Sequence, residues 1–192
     1  QYYQHVKAFP RYISATHSIC EDIEKRRILL ENLQDEENKD GDHPKLWKNF
    51  AKALGADEKE IEKVKLDWFT KDMIDNFFSQ ARKSYAEGLA SLYTYERQIP
   101  EIAETKIQGL KKFYGVSSKE GLEFFEAHKS ADVIHRAECE KLLDGLSKNE
   151  QEKAENASLL TARYLWNFLS GMVSKHKLLS LIHISEPTRR LV

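Results

Sequence analysis

The sequence lacks the features that mark several familiar classes of protein. Only two of its 192 residues are cysteines, Cys20 and Cys139, and they form neither a disulfide framework nor a CxxC motif. The net charge of −1 gives no field that would favour nucleic acid or an anionic membrane surface. No apolar run reaches the roughly 18 residues of a membrane-spanning helix. We therefore expect a cytoplasmic protein with reduced thiols and no nucleic-acid or membrane partner.

Strand patterns and short catalytic motifs are also missing. No segment alternates apolar and polar residues between turn signals, and no glycine-rich phosphate loop, GxSxG or HExxH motif occurs. Apolar residues instead recur at helical spacing along most of the chain. This pattern predicts an all-α bundle of about seven helices. The bundle is expected to form a single domain over residues 1–175.

Capping residues and breakers divide the periodic pattern into helices. Asp57 is a suitable N-cap for a helix that runs to about Asn76, and a further helix is expected over 78–98. The last helix is expected over 149–174, with an apolar face that includes Leu159, Leu160, Phe168 and Leu169.

One predicted helix carries two imidazoles and a carboxylate on a single face. At about 100° per residue, Asp132 and His135 lie at about +40° and −20° from His128. Such a stripe suits a borderline metal such as iron, manganese or zinc, and the alternative is an ordinary polar helix face. Cys139 falls on the same stripe and is interpreted as a packing residue. The neighbouring apolar residues indicate a packed segment: Phe124, Phe125, Val133 and Ile134.

A second candidate pair lies near a helix end. Glu36 and His43 are seven residues apart, and Asn38, Gly41 and Pro44 interrupt the helical pattern around them. An irregular turn here can aim the histidine inward. The alternative interpretation is an exposed acidic loop.

Glu96 completes the set of candidate ligands. It lies in an apolar and aromatic run, and its neighbour Arg97 points about 100° away on a helix, so the two are poorly placed to pair. We therefore expect Glu96 to face the interior, toward something positive. Three carboxylates and three imidazoles in a helical bundle would suit two metal ions. The six residues are Glu36, His43, Glu96, His128, Asp132 and His135.

Both ends of the chain depart from this pattern. The sequence opens at Gln1 directly in helical periodicity, which predicts that the first helix of the bundle is missing. From about residue 178 the helical periodicity stops, and the amino-acid sequence resembles a translated sequencing adapter. Residues 178–192 are therefore expected to be a non-native tail, the alternative being a genuine basic C-terminus.

Four motifs carry a resemblance to a known family. In this order along the chain, they resemble the family of the Chlamydia protein associating with death domains, which belongs to the haem-oxygenase-like, TenA/PqqC-type superfamily. The resemblance covers about residues 1–170. The motifs are YYQHVKAFPRY (2–12), DEEN (35–38), YERQIP (95–100) and the spacing of His128, Asp132 and His135.

The resemblance implies a dinuclear non-haem metal oxygenase, with Fe/Fe or Fe/Mn ions, O2 as co-substrate and an external electron donor. It implies a role in making p-aminobenzoate, the folate precursor, from a protein tyrosine in a bacterial cytoplasm. The family's ligands fall on the six residues named above, and its active-site tyrosine and lysine fall on Tyr95 and Lys106. The absent first helix lines the family's site, so a chain without it is expected to be impaired.

Other functions on this fold stay open at this point. A TenA-like thiamin-salvage hydrolase needs a nucleophilic cysteine, and neither cysteine has an obvious acidic partner in the sequence. A PqqC-like cofactorless oxidase would not need the carboxylates. Haem binding through His5 or His17 is a further alternative. A non-catalytic protein that binds a helical partner such as a death domain, or a homodimer, is also compatible with the sequence.

Overall fold

In the computed structural model, residues 1–177 are described, except for the side chains of 130–132, and they form helices joined by short turns. The described part contains no strand, which confirms the all-α prediction. Residues 178–192, the expected non-native tail, lie outside the described residues. Within residues 1–177, no helix is both long and apolar enough to cross a membrane. The helices are α1 (Tyr2–Ser18), α2 (Ile23–Glu36), α3 (His43–Ala53), α4 (Glu58–Lys63), α5 (Trp68–Lys83), α6 (Tyr85–Glu96), α7 (Ile99–Tyr114), α8 (Lys119–Asp144) and α9 (Lys148–Lys175).

The described residues thus form nine helices, and the expected number of about seven was too low. Asp57 does cap a helix, accepting hydrogen bonds from two backbone amides, but α4 ends at Lys63 and α5 begins only at Trp68. The side chain of Gln1 stabilises the non-helical segment between these two helices. Its amide group donates to the carbonyl of Lys65 and accepts from the amide of Asp67.

The second difference lies at Ser84, inside the helix expected over 78–98. Ser84 has extended backbone angles (φ −157°, ψ 163°), and its hydroxyl accepts a hydrogen bond from the amide of Glu87. It therefore acts as the N-cap of α6, and separates that helix from α5.

The core is built around α6, which packs against α1, α5, α8 and α9. The α9 face turned toward it carries mostly small side chains, Ala154, Ala157 and Thr161, so the two helices approach closely. Of the larger residues expected inside, Phe168 is buried, but the three leucines are not. Leu159 and Leu169 are more than half exposed, and Leu160 is 38% exposed.

Gly88 lies where α6 crosses α1 and α5. A Cβ there would lie 2.5 Å from the Thr16 hydroxyl oxygen and 3.2 Å from the Ala81 Cα. Thr16 is held by its own hydrogen bond to the Tyr12 carbonyl, at 3.0 Å. We expect Gly88→Ala to lower the free energy of unfolding by about 1–3 kcal/mol, although alanine favours helices.

Urea unfolding measures this effect. Gly109→Ala is the matched control, because nothing lies within 4 Å of the added Cβ in α7. That substitution should leave stability unchanged or raise it by up to about 1 kcal/mol. A stabilised Gly88→Ala variant would contradict the close approach of the three helices.

Candidate metal centre

The turn between α2 and α3 brings two candidate ligands together. Glu36 is the last residue of α2 and His43 the first of α3. Asp42 caps α3 by accepting from the Lys45 amide at 2.8 Å, which fixes the direction in which His43 leaves the turn. His43 Nδ1 lies 2.8 Å from Glu36 Oε2, and both side chains are 6% exposed.

His128 of α8 joins this pair. One ligand atom from each of Glu36, His43 and His128 lies within 4.8 Å of the others, and all three residues are buried. His128 Nδ1 lies 2.7 Å from the Phe124 carbonyl oxygen. Because a carbonyl only accepts, Nδ1 carries the proton and Nε2 keeps the lone pair that a metal requires.

Glu96 faces the interior at the end of α6 and is only 1% exposed. Asn32 Nδ2 donates to its Oε1 at 2.8 Å, and the Cys139 thiol lies 3.7 Å from its Oε2. Asn32 was not singled out from the sequence. Its spacing of four residues from Glu36 places both on the inner face of α2.

His135 and Asp132 continue along α8. His135 is 5% exposed, and its Nε2 lies 3.0 Å from the carboxylate of Asp35, a half-exposed residue that sequence reasoning also missed. The α8 backbone places Asp132 one turn after His128, but the Asp132 side chain lies outside the described residues. The expected packing is wrong for Val133 and Ile134, which are 55% and 61% exposed.

A cavity of about 480 Å³ opens beside His128. Tyr2 and Tyr95 line it, and their hydroxyl groups hydrogen-bond to each other. Lys106 also lines it. The residue as a whole is exposed, but desolvation of its amine by the surrounding protein lowers the pKa of that group. Most of the remaining wall is apolar, and includes Trp47, Ile99, Phe124, Phe125, Phe168 and Met172.

The donor set fits iron. Carboxylate oxygens and imidazole nitrogens are ligands for divalent iron and manganese, and Glu36, His43 and His128 offer both kinds within bonding reach of one ion. Asn32 Oδ1 is in addition buried without a hydrogen-bond partner among the described residues. An orphaned acceptor next to buried carboxylates is consistent with a ligated ion that brings hydrogen-bond donors with it.

His5 does not support the haem alternative. It is completely buried, and neither ring nitrogen has a hydrogen-bond partner in the described part of the chain. Burial lowers its pKa to about 3. Aromatic rings enclose it at centroid distances of 5.0 to 5.9 Å and leave no room for a porphyrin: Tyr2, Phe9, Tyr12, Phe77 and Tyr95.

Cys139 corrects one expectation drawn from the sequence. The thiol does have an acidic neighbour, Glu96, at 3.7 Å. The residue is buried, however, and is not among those that line the cavity beside His128. A nucleophile must reach its substrate, so this position gives little support to a thiamin-type hydrolase.

Comparisons with known proteins agree with the donor set. The chain is 42% identical over 173 residues to the 4-aminobenzoate synthase of Chlamydia trachomatis. The aligned region covers 90% of this chain and 75% of that protein. The corresponding protein of Chlamydia muridarum is 41% identical over 173 residues (90% and 73%). That of Nitrosomonas europaea is 35% identical over 184 residues (90% and 75%).

A family described as iron-containing redox enzymes, with a haem-oxygenase-like name, matches residues 1–166. This match confirms the haem-oxygenase-like assignment that the sequence motifs predicted. The chain, an oxidoreductase, therefore belongs to the haem-oxygenase-like family of iron-containing redox enzymes.

Proposed function

We propose that this protein is a non-haem dinuclear iron, or iron–manganese, oxygenase that makes 4-aminobenzoate from a protein tyrosine. The observation that carries the proposal is the buried convergence of Glu36, His43 and His128 beside a cavity lined by Tyr95. The names of relatives at 35% to 42% identity supply the product. O2 is the proposed co-substrate, with an external electron donor.

Six residues would hold the metal ions in this proposal. Glu36, His43 and His128 form one group around a common point. Glu96, Asp132 and His135 are assigned to the second ion on the family resemblance. When bound, two such ions supply the reductive activation of O2.

The chain's own residues prepare the site for that chemistry. The Phe124 carbonyl accepts a hydrogen bond from His128 Nδ1, so the proton is on Nδ1 and the lone pair on Nε2. The ring can then bind a metal through Nε2 without a change of tautomer. The apolar wall of the cavity keeps bulk water away from oxidising species. Tyr95 lines the cavity together with the proposed ligand His128 and shares a hydrogen bond with Tyr2, so an oxidisable phenol lies in the same cavity wall as that ligand.

Lys106 is the proposed source of the amino nitrogen. An amine reacts as a nucleophile only when it is unprotonated, and the protein around Lys106 lowers its pKa toward that state. Lys106 and Tyr95 line the same cavity.

Anaerobic reconstitution with Fe(II), followed by addition of O2 and a reductant, tests the proposal. The wild type, extended by the first helix that the sequence predicts to be missing, should hold about two iron ions and release 4-aminobenzoate, measured by mass spectrometry. Tyr95→Phe should keep its iron and lose at least about tenfold in product, since the phenol oxygen is gone. Tyr93→Phe is the control, because the Tyr93 hydroxyl bonds Glu140 at 2.7 Å and does not line the cavity.

Two outcomes would contradict the assignment. A wild type that binds no iron when it carries the expected first helix removes the metal centre, and a Tyr95→Phe variant with normal product removes the phenol from the reaction. Product loss in Tyr93→Phe as well would trace the effect to α6 rather than to the cavity.

We also propose the narrower kinship with the death-domain-associating group, which rests on the motifs alone. A death-domain partner and a homodimer belong to this proposal. Pull-down with purified death domains, using the wild type and the Glu96→Ala variant, separates partner binding from catalysis. Size measurement by light scattering tests the homodimer.

A further inference from the structure

The hydrogen bond between Asn32 and Glu96 joins two helices in the interior. Asn32 is 3% exposed and Glu96 1%, so no bulk water competes for the bond. Asn32 Nδ2 lies 2.8 Å from Glu96 Oε1, a short distance for an amide donor. The other described contact of this carboxylate, from the Cys139 thiol at 3.7 Å, is to a weaker donor.

This contact also fixes the orientation of the Asn32 amide. Nδ2 is the atom that donates to the carboxylate oxygen, so the NH2 group of Asn32 faces Glu96. Oδ1 is then turned elsewhere, and it is buried with no hydrogen-bond partner among the described residues. A buried carbonyl oxygen left in this state is unfavourable unless a donor arrives with a ligand.

The position of Asn32 on α2 links it to the proposed centre a second time. Leu29, Asn32 and Glu36 are the buried residues of α2, at helical spacing on one face. Glu36 belongs to the group of ligand atoms with His43 and His128. The same face of α2 therefore carries the proposed ligand Glu36 and, one turn earlier, Asn32, which hydrogen-bonds to the proposed ligand Glu96.

We propose that Asn32 is a positioning residue of the metal centre. It would fix Glu96 Oε1 so that the carboxylate meets an ion in one orientation, and its Oδ1 would be available to a hydrogen-bond donor that arrives with that ion. Asn32 itself binds no metal. The inference rests on the proposed function, because it requires that Glu96 be a ligand.

Fe(II) affinity of the anaerobic protein, measured by competition with a chromophoric chelator, tests this inference. Asn32→Leu removes both polar atoms at similar volume, and we expect about a 10–100-fold loss of affinity. Asn32→Ala removes the same donor without added bulk, and carries the test if the leucine variant does not fold. The wild type must bind iron for the comparison to have meaning, so an iron-free wild type refutes the proposed function instead.

Asn76→Leu is the matched control. Asn76 is also a buried asparagine, but it bonds Thr161 and Gln80 in the α5–α9 core. Its loss should lower the melting temperature of the apo-protein and leave iron affinity unchanged. If the Asn32 variants behave in the same way, Asn32 is only structural and the inference fails. Unchanged affinity in both Asn32 variants, with wild-type iron bound, also overturns it.

Discussion

Glu96→Ala is expected to abolish binding of the second iron ion, with iron falling from about two ions per chain to about one or fewer after anaerobic reconstitution and desalting. Glu96 is almost fully buried and accepts a hydrogen bond from Asn32. Alanine removes the charge that would offset a second divalent ion, and water in the vacated space cannot replace it. His135→Ala should have the same effect, because His135 is assigned to the same ion.

Glu87→Ala provides the control for this result. Glu87 is on the same helix and is also buried, at 6% exposure, but it pairs with Lys83 and Ser84 at the opposite end of α6. Its removal should cost some stability and no iron. Wild-type iron content in Glu96→Ala would remove Glu96 from the ligand set and with it the dinuclear assignment.

Acidification is expected to destabilise the fold through His5. The pKa of this residue is lowered from 6.5 to about 3 because the folded interior cannot solvate a charged imidazole. Below pH 6.5 His5 is protonated in the unfolded chain, but it stays neutral in the folded chain until the pH nears 3. The free energy of unfolding therefore falls as the pH falls. Between pH 6 and pH 4 this one residue should account for a loss of about 2.5 kcal/mol.

Denaturant unfolding of the wild type and His5→Leu across this pH range measures the effect. The difference between the two curves isolates His5 from the carboxylates that titrate at the same time. At pH 7 the leucine variant should be as stable as the wild type or more so, because two unpartnered nitrogens are gone. His17→Gln, on the same helix but partly exposed, should keep most of the wild-type slope. Parallel curves for wild type and His5→Leu would refute the buried neutral imidazole.

Helical periodicity was sufficient to predict the all-α class and the common face of His128 and His135. The breakers around His43 pointed to the turn that brings it against Glu36. These features depend on residues close in sequence, where spacing translates directly into geometry.

Other features depend on contacts between distant segments, which spacing does not record. The break between α4 and α5 is held by Gln1, more than sixty residues away. Asn32 reads as an ordinary polar helix position until Glu96 of α6 is placed against it. Leu159 and Leu169 looked buried because an apolar side chain carries no sign of which helix face meets a neighbour.

The turn at residues 37–42 has a consequence for how this corner of the bundle holds together. Glu36 and His43 flank it directly, so an ion shared by both would staple the end of α2 to the start of α3 and close a short loop. The free energy of metal binding then becomes part of the folding free energy of that corner. Loading with iron would thus tighten the very segment that positions two of its ligands.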